Sequence, residues 1–215
     1  MKGRFIVLEG IDGCGKTTQA NYLKRWLPKS GLIPNGKKLH LTREPGGTEL
    51  GKSLRELLLD SMRKDIPDPN TELLLYAADR AQHVAKMIRP ALDSGDWVIS
   101  DRFSGSTMAY QGYGRKLDLR IIDALEEIAT QGLYPDITLL LDIEPRNSVK
   151  RREYLSNDRI EAEGSEFLQR VALGFNELAK NRSWIKIDGN LKANLVSNII
   201  QKELLKNLKR TKTNE

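Results

Sequence analysis

The chain has a single cysteine, Cys14, among 215 residues, so no internal disulfide can form and a reducing compartment is expected. Its apolar runs are only a few residues long, far short of a membrane span. It has no Pro/Gly/Ser-rich linker and no internal repeat, so the length suits one large domain with a full core, residues 1–215. It opens Met1-Lys2-Gly3-Arg4 and enters a strand-like run at once, a start that predicts no signal peptide and a cytoplasmic protein. Its two histidines, His40 and His83, stand in no evident catalytic setting. No Asn-Lys-x-Asp segment occurs, which removes the usual guanine-reading signal of a regulatory GTPase. The net charge of +6 fits either a nucleic-acid binder or a site that holds two phosphorylated substrates. The basic tail (Lys202, Lys206, Lys209, Arg210, Lys212) is spread through a terminal helix and reads as a solvated face, so no nucleic-acid partner is expected.

What is present is more specific. Gly10-Ile11-Asp12-Gly13-Cys14-Gly15-Lys16-Thr17 reads G-x-x-x-x-G-K-T, between the strand-like Phe5–Leu8 and a helix-like run from Thr18 to Leu27. This strand–loop–helix context is what a phosphate-binding P-loop requires. Glycines let several backbone N–H groups converge on one anion, and the helix N-terminus adds its dipole. Lys16 is expected on the β- and γ-phosphates of ATP, the Thr17 hydroxyl on Mg²⁺, and Thr18 completes the nucleotide-binding run. Cys14, among the loop amides near a helix start, is expected to have a lowered thiol pKa, with a packed, inert thiol as the alternative.

Short strand-like runs at Arg4–Leu8, Lys38–Thr42, Trp97–Ser100, Ile137–Leu141 and Trp184–Ile187 alternate with helical patterns at Gly15–Leu27, Glu49–Leu59, Thr71–Asp93, Leu119–Thr130, Pro145–Lys150, Glu166–Lys180 and Leu191–Lys209. That alternation predicts a P-loop three-layer α/β/α fold with a five-stranded, mostly parallel sheet. Ligands of such sheets sit at the carboxyl ends of the strands, so the residues after each strand matter most. Arg43, Arg55, Arg80 and Arg102 fall near these ends and are candidates for a second phosphate site, since guanidinium groups grip phosphate bidentately. Asp101 ends the third strand, where an acidic residue joins the Mg²⁺ shell, with Asp142 after the fourth strand as the competitor. Asp12 is unusual inside a phosphate loop: it is expected to point outward to a substrate hydroxyl, or to form an Asx turn. Residues Arg151 to Glu163 are dense in charge and read either as a solvated face or as a mobile lid, about 151–163, that carries an arginine onto the transferring phosphoryl group.

Beyond the P-loop, Thr42-Arg43-Glu44-Pro45-Gly46-Gly47-Thr48, Leu74-Leu75-Tyr76-Ala77-Ala78-Asp79-Arg80-Ala81-Gln82-His83, Asp101-Arg102-Phe103 and Ala109-Tyr110-Gln111-Gly112 follow in this order. Over nearly its whole length the chain thus resembles the thymidylate kinase family of nucleoside-monophosphate kinases. The resemblance implies transfer of a phosphoryl group from ATP to dTMP, giving dTDP. It implies that Asp12 holds the deoxyribose 3′-hydroxyl, that Tyr76 stacks on thymine, and that Arg80, Thr107 and Gln111 hydrogen-bond the base. Arg55 and Arg102 then bind the monophosphate, Ser106 belongs to the same acceptor site, and Tyr110 lies against the 2′ carbon. The variable P-loop positions carry no basic residue, so the chain resembles the branch whose catalytic arginine lies in the lid: Arg152 first, Arg151 second. Phe103 departs from the commoner Tyr or His of that motif. Relatives pair through helices on this flank, so a homodimer is implied through helix Thr71–Asp93, with Leu73, Leu74, Ala77, Ala81, Val84 and Ile88 read along one side. The competing readings are another nucleotide or deoxynucleoside kinase, and a nucleic-acid-dependent ATPase suggested only by the basic balance.

Overall fold

The computed structural model describes residues 2–60, 62, 64–152, 159–160 and 163–210. Five strands, β1 (Phe5–Glu9), β2 (Leu39–Arg43), β3 (Trp97–Asp101), β4 (Ile137–Asp142) and β5 (Ile185–Asp188), form one parallel sheet in the order β2-β3-β1-β4-β5. Each lies within a residue or two of the expected run. The P-loop therefore leaves the central strand, between the ends of β3 and β4, where a crevice opens at the carboxyl edge.

Alternation along the strands divides the core. Ile6, Leu8 and Ile99 pack with Leu23 of α1 (Lys16–Trp26) and with Ile200 and Leu204 of α9 (Ala193–Arg210). Phe5, Val7 and Val98 pack on the other side with Val84, Ile88 and Leu92. Three of the helices start at side-chain caps. Thr48 accepts from Gly51 N (3.0 Å) ahead of α2 (Glu49–Leu59). Asp68 accepts from Asn70 N (2.8 Å) ahead of α3 (Pro69–His83). Asp118 accepts from Arg120 N (2.9 Å) ahead of α6 (Leu119–Thr130).

Two departures from the sequence reading matter for the site. The long helix expected over Thr71–Asp93 is broken: α3 passes into a π-helical turn at Val84–Ile88 before α4 (Arg89–Asp93). Pro90 has no N–H to donate back, so the ladder shifts register just ahead of it. Nor do its apolar residues form one face, because Leu73, Val84 and Ile88 are buried while Leu74 is 56 % exposed. The second departure is an unexpected helical stretch after β3, α5 (Ser104–Thr107) continuing as a π-helix at Met108–Gly114. Gly105, Gly112 and Gly114 give it poor intrinsic propensity. Tertiary packing overrides that: a Cβ on Gly114 would strike the Phe167 ring at 2.7 Å, so only glycine admits α8 (Ser165–Asn181) this closely. The remaining helix, α7 (Pro145–Arg152), leads from β4 toward the P-loop.

Candidate active site

The loop after β1 turns through Gly10, Gly13 and Gly15 at φ +137°, +74° and +99°, conformations open to glycine that a tight phosphate-binding turn requires. Lys16 folds back over it, its Nζ donating to Gly10 O (3.0 Å) and Ile11 O (3.1 Å). Helix α7 seals the other side. Ser148 Oγ donates to the Asp12 carbonyl, and Arg151 donates to the carbonyls of Gly13 (3.4 Å) and Gly189 (2.9 Å). The stem of Arg152 lies against Gly13, whose built Cβ would sit 3.2 Å from Arg152 Cγ. Both candidate lid arginines thus reach the phosphate loop. Of the rest of the expected lid, residues 153–158 and 161–162 lie outside the described residues.

Thr17 Oγ1 donates to Asp101 Oδ2 (2.6 Å), which brings a hydroxyl and a carboxylate oxygen together at the start of α1. Asp142 is turned away to Lys186 (2.9 Å) and Asn176 (3.2 Å). A pair of hard oxygens suits Mg²⁺, which keeps waters and substrate phosphates as its other ligands. Among the described residues no cluster of three or more His, Cys, Asp or Glu forms a protein cage for a metal.

Beside the loop opens a narrow cleft lined by Asp12, Arg55, Tyr76, Arg80, Arg102, Ser106, Thr107, Tyr110 and Gln111, every residue the resemblance assigned to the acceptor. Glu44, Pro45, Leu59, Phe103 and Ile160 complete it. Arg43 is exposed and does not line it.

At its inner end Arg102 donates to Gly10 O (3.0 Å), Ser106 Oγ (2.8 Å) and Asp12 Oδ1 (2.6 Å). Tyr110 OH donates to the other Asp12 oxygen (2.7 Å). Burial alone would raise the Asp12 carboxyl, but the Arg102 and Lys16 charges outweigh it and hold its pKa well below the usual carboxylate range. Below this group, buried Glu9 accepts from Phe103 N (3.0 Å), Ser106 N (3.1 Å) and Ser106 Oγ (2.6 Å). Burial pushes its pKa up to about 7, against the opposing charge of Arg102.

At the outer end Arg80 Nε donates to Glu44 Oε2 (2.8 Å), and its guanidinium lies 5.5 Å from the Phe103 ring centre. Phe103 itself packs edge-on against Phe5 (5.0 Å), an apolar role for the third position of the Asp-Arg-Phe motif. His83, fully buried, bridges Glu44 Oε1 (2.9 Å) and Thr42 Oγ1 (2.7 Å), which makes it a packed histidine. Arg55 donates to Pro45 O (3.1 Å). Gln111 donates to Glu72, a buried residue of α3 (2.7 Å).

Cys14 departs from expectation. Its thiol is buried, and burial pushes its pKa up despite the nearby charges of Lys16 and Arg102. Desolvation outweighs the loop's electropositive setting, which favours the packed thiol over the activated one. The sequence reading also missed three carboxylates, Glu9, Glu44 and Glu72. Glu9 carried a signal, an acidic residue ending an otherwise apolar strand; Glu44 stood inside a quoted motif without a role.

Residues 8–200 match the family model described as thymidylate kinase. A curated thymidylate kinase of Prochlorococcus marinus (strain MIT 9313) is 60 % identical over 204 residues, 95 % of this chain and 94 % of that protein. One of Synechococcus sp. (strain WH7803) is 63 % identical over 191 residues, 89 % of this chain and 90 % of that protein. The crystal structure of thymidylate kinase from Ehrlichia chaffeensis is similar at a TM-score of 0.74 and 36 % identity, covering 95 % of this chain and 99 % of that one.

Proposed function

The chain belongs to the thymidylate kinase family and phosphorylates dTMP with ATP as donor, and from that premise we propose how its side chains divide the work. One observation supports the assignment of roles above all: residues from the P-loop, α2, α3 and the stretch after β3, distant in sequence, line a single cleft beside the phosphate loop.

In this reading the loop amides and Lys16 hold the β- and γ-phosphates of ATP. Thr17 and Asp101 would hold Mg²⁺, which would supply charge neutralisation to the phosphates. Arg102 and Arg55 hold the dTMP phosphate in line. That phosphate is already nucleophilic at neutral pH, so no general base is required. Arg102 is occupied by Asp12 and Tyr110 in the structure, so binding exchanges one set of bonds for another. As Arg102 turns to the phosphate, Asp12 is left to receive the 3′-hydroxyl and Tyr110 flanks the 2′ carbon. Tyr76 stacks on the base; Arg80, Thr107 and Gln111 read its edge. Thr107 Oγ1, buried with no hydrogen-bond partner among the described residues, suits that role. Arg152 neutralises charge on the transferring group, with Arg151 as the second choice.

The same reading includes a homodimer in the cytoplasm. Its structural support is an apolar surface on the neighbouring helices α3 and α6, where Leu74, Ile121 and Ile128 are 56 %, 56 % and 70 % exposed. No helix among the described residues is long and apolar enough to cross a membrane. The test is a coupled assay of ADP release across dTMP, thymidine, UMP, CMP and dUMP with Mg·ATP. dTMP should be the best acceptor; a better turnover of thymidine or UMP overturns the reading. Sedimentation should give twice the chain mass.

A further inference from the structure

Glu72 is fully buried on α3, and three side chains converge on it. Its Oε1 accepts from Gln111 Nε2 (2.7 Å) and Arg115 Nε (3.3 Å). Its Oε2 accepts from Arg115 (3.0 Å) and from Arg159. A carboxylate gripped by two guanidiniums offers lone pairs and nothing else. A glutamine amide, by contrast, has a donor end and an acceptor end that exchange on a flip. Against Glu72 only one flip is satisfied: the reverse sets Gln111 Oε1 against a carboxylate oxygen, two acceptors in contact, with a buried hydrogen bond lost. Gln111 lines the cleft, and with one Nε2 hydrogen held by Glu72 the amide keeps one orientation: the second N–H stays on the nitrogen side, and the end turned from Glu72 carries Oε1, an acceptor.

Arg80, across the cleft, has the opposite polarity by the same device. Glu44 holds its Nε, and a guanidinium has donors only. Thr107 adds a hydroxyl that can donate or accept, so it cannot discriminate. The edge presented to the base is therefore one fixed acceptor and one fixed donor. A thymine or uracil ring offers N3–H and O4, which match; a cytosine ring offers N3 and an amino group, which oppose both.

Resting on the proposed reading of this cleft as the dTMP site, we infer that Glu72 is a specificity-determining residue: it fixes the Gln111 amide and so selects pyrimidines bearing an N3–H over cytosine. Glu72 touches no substrate and acts through Gln111. The rival description is a structural tie between α3, Arg115 and Arg159. A structural tie, when broken, lowers activity on every acceptor and lowers stability, but leaves the ratio between bases alone.

The experiment is the ratio of kcat/KM for dTMP to that for dCMP. In Glu72→Gln the residue at 72 can both donate and accept, so Gln111 is free to flip; the ratio should fall by about tenfold or more. Arg159→Met keeps the carboxylate and removes one of its two cations, so it should lower the melting temperature while the ratio stays at the wild-type value. Should E72Q fail to fold, E72Q/R159M removes one charge of each sign and takes its place. Should that fail too, the wild-type protein answers by NMR: the Gln111 side-chain NH₂ should exchange slowly with solvent, and fast exchange overturns the inference. A folded E72Q or double variant with an unchanged ratio overturns it as well. If wild type does not prefer dTMP to dCMP at all, the reading of the cleft fails, an outcome distinct from failure at Glu72.

Discussion

The two ends of the cleft are built on different plans. At the end proposed to hold the base, each proposed reading group is tied to a carboxylate with almost no exposure: Arg80 to Glu44 (both 3 %) and Gln111 to Glu72 (0 %). At the phosphate end, Arg102 (14 %) and Asp12 (30 %) are more open and satisfy one another across the space a ligand must enter. The first arrangement is preorganised, and its partners belong to the fold. The second is provisional, and its partners belong to the ligand. On the proposed reading, one cleft is rigid where it discriminates a base and exchangeable where it takes up charge. Damage at one end should therefore appear in folding, and damage at the other in turnover.

The largest effect expected is at the base end. Glu44→Ala strands the buried Arg80 and His83, and loss of one partner of a buried ion pair costs about 3–5 kcal/mol. Urea unfolding should show that loss, and a change within about 0.5 kcal/mol would dissolve the contrast. Next comes Arg152→Ala at the phosphate end. It should lower kcat on the order of 10²–10³-fold, with a smaller change in KM and an unmoved unfolding midpoint. A near wild-type Arg152→Ala beside a crippled Arg151→Ala would shift the role by one residue, and two active variants would remove it.

Glu9, beneath the phosphate end, supplies a pH test. Its folded pKa of about 7 lies above the ordinary 4.5, so between these values the folded chain binds more protons than the unfolded one. Stability should then fall as pH rises from about 5 to about 8, by roughly 2–3 kcal/mol from this group. Glu9→Gln should remove most of that slope, as read by denaturant midpoints at the two pH values; an equal slope in both proteins rules Glu9 out as its source. The smallest effect is at the sugar. Tyr110→Ala should narrow the preference for dTMP over its ribose counterpart by about tenfold, roughly 1.4 kcal/mol. Equal losses on both sugars would mean that the ring only packs against Phe167 and Phe175.

The exchangeable end was far more legible in the sequence than the rigid one. Gly10 to Thr17 is a contiguous motif, and Asp101 with Arg102 directly follows an apolar strand, so chain order alone brings them together. The strands were legible for the same local reason: β1, β3 and β4 are short runs rich in apolar residues, and β2 and β5 alternate apolar with polar residues. Glu72 and Glu44 were not. Gln111 and Arg115 are far from Glu72 in the chain, and the α3 that carries it meets them only through the order of the sheet and the helical stretch after β3. That stretch was itself hidden, because Gly105, Gly112 and Gly114 speak against a helix until α8 and Trp184 are packed onto it. Cys14 failed in the other direction: its loop neighbours were visible in sequence, its burial was not.

Arg102 stands at φ +74°, a left-handed conformation that a side chain enters at a cost of about 1–2 kcal/mol. Glycine would relieve the backbone there and remove the guanidinium with it. The position therefore sets two selective pressures against each other, folding stability on one side and chemistry on the other.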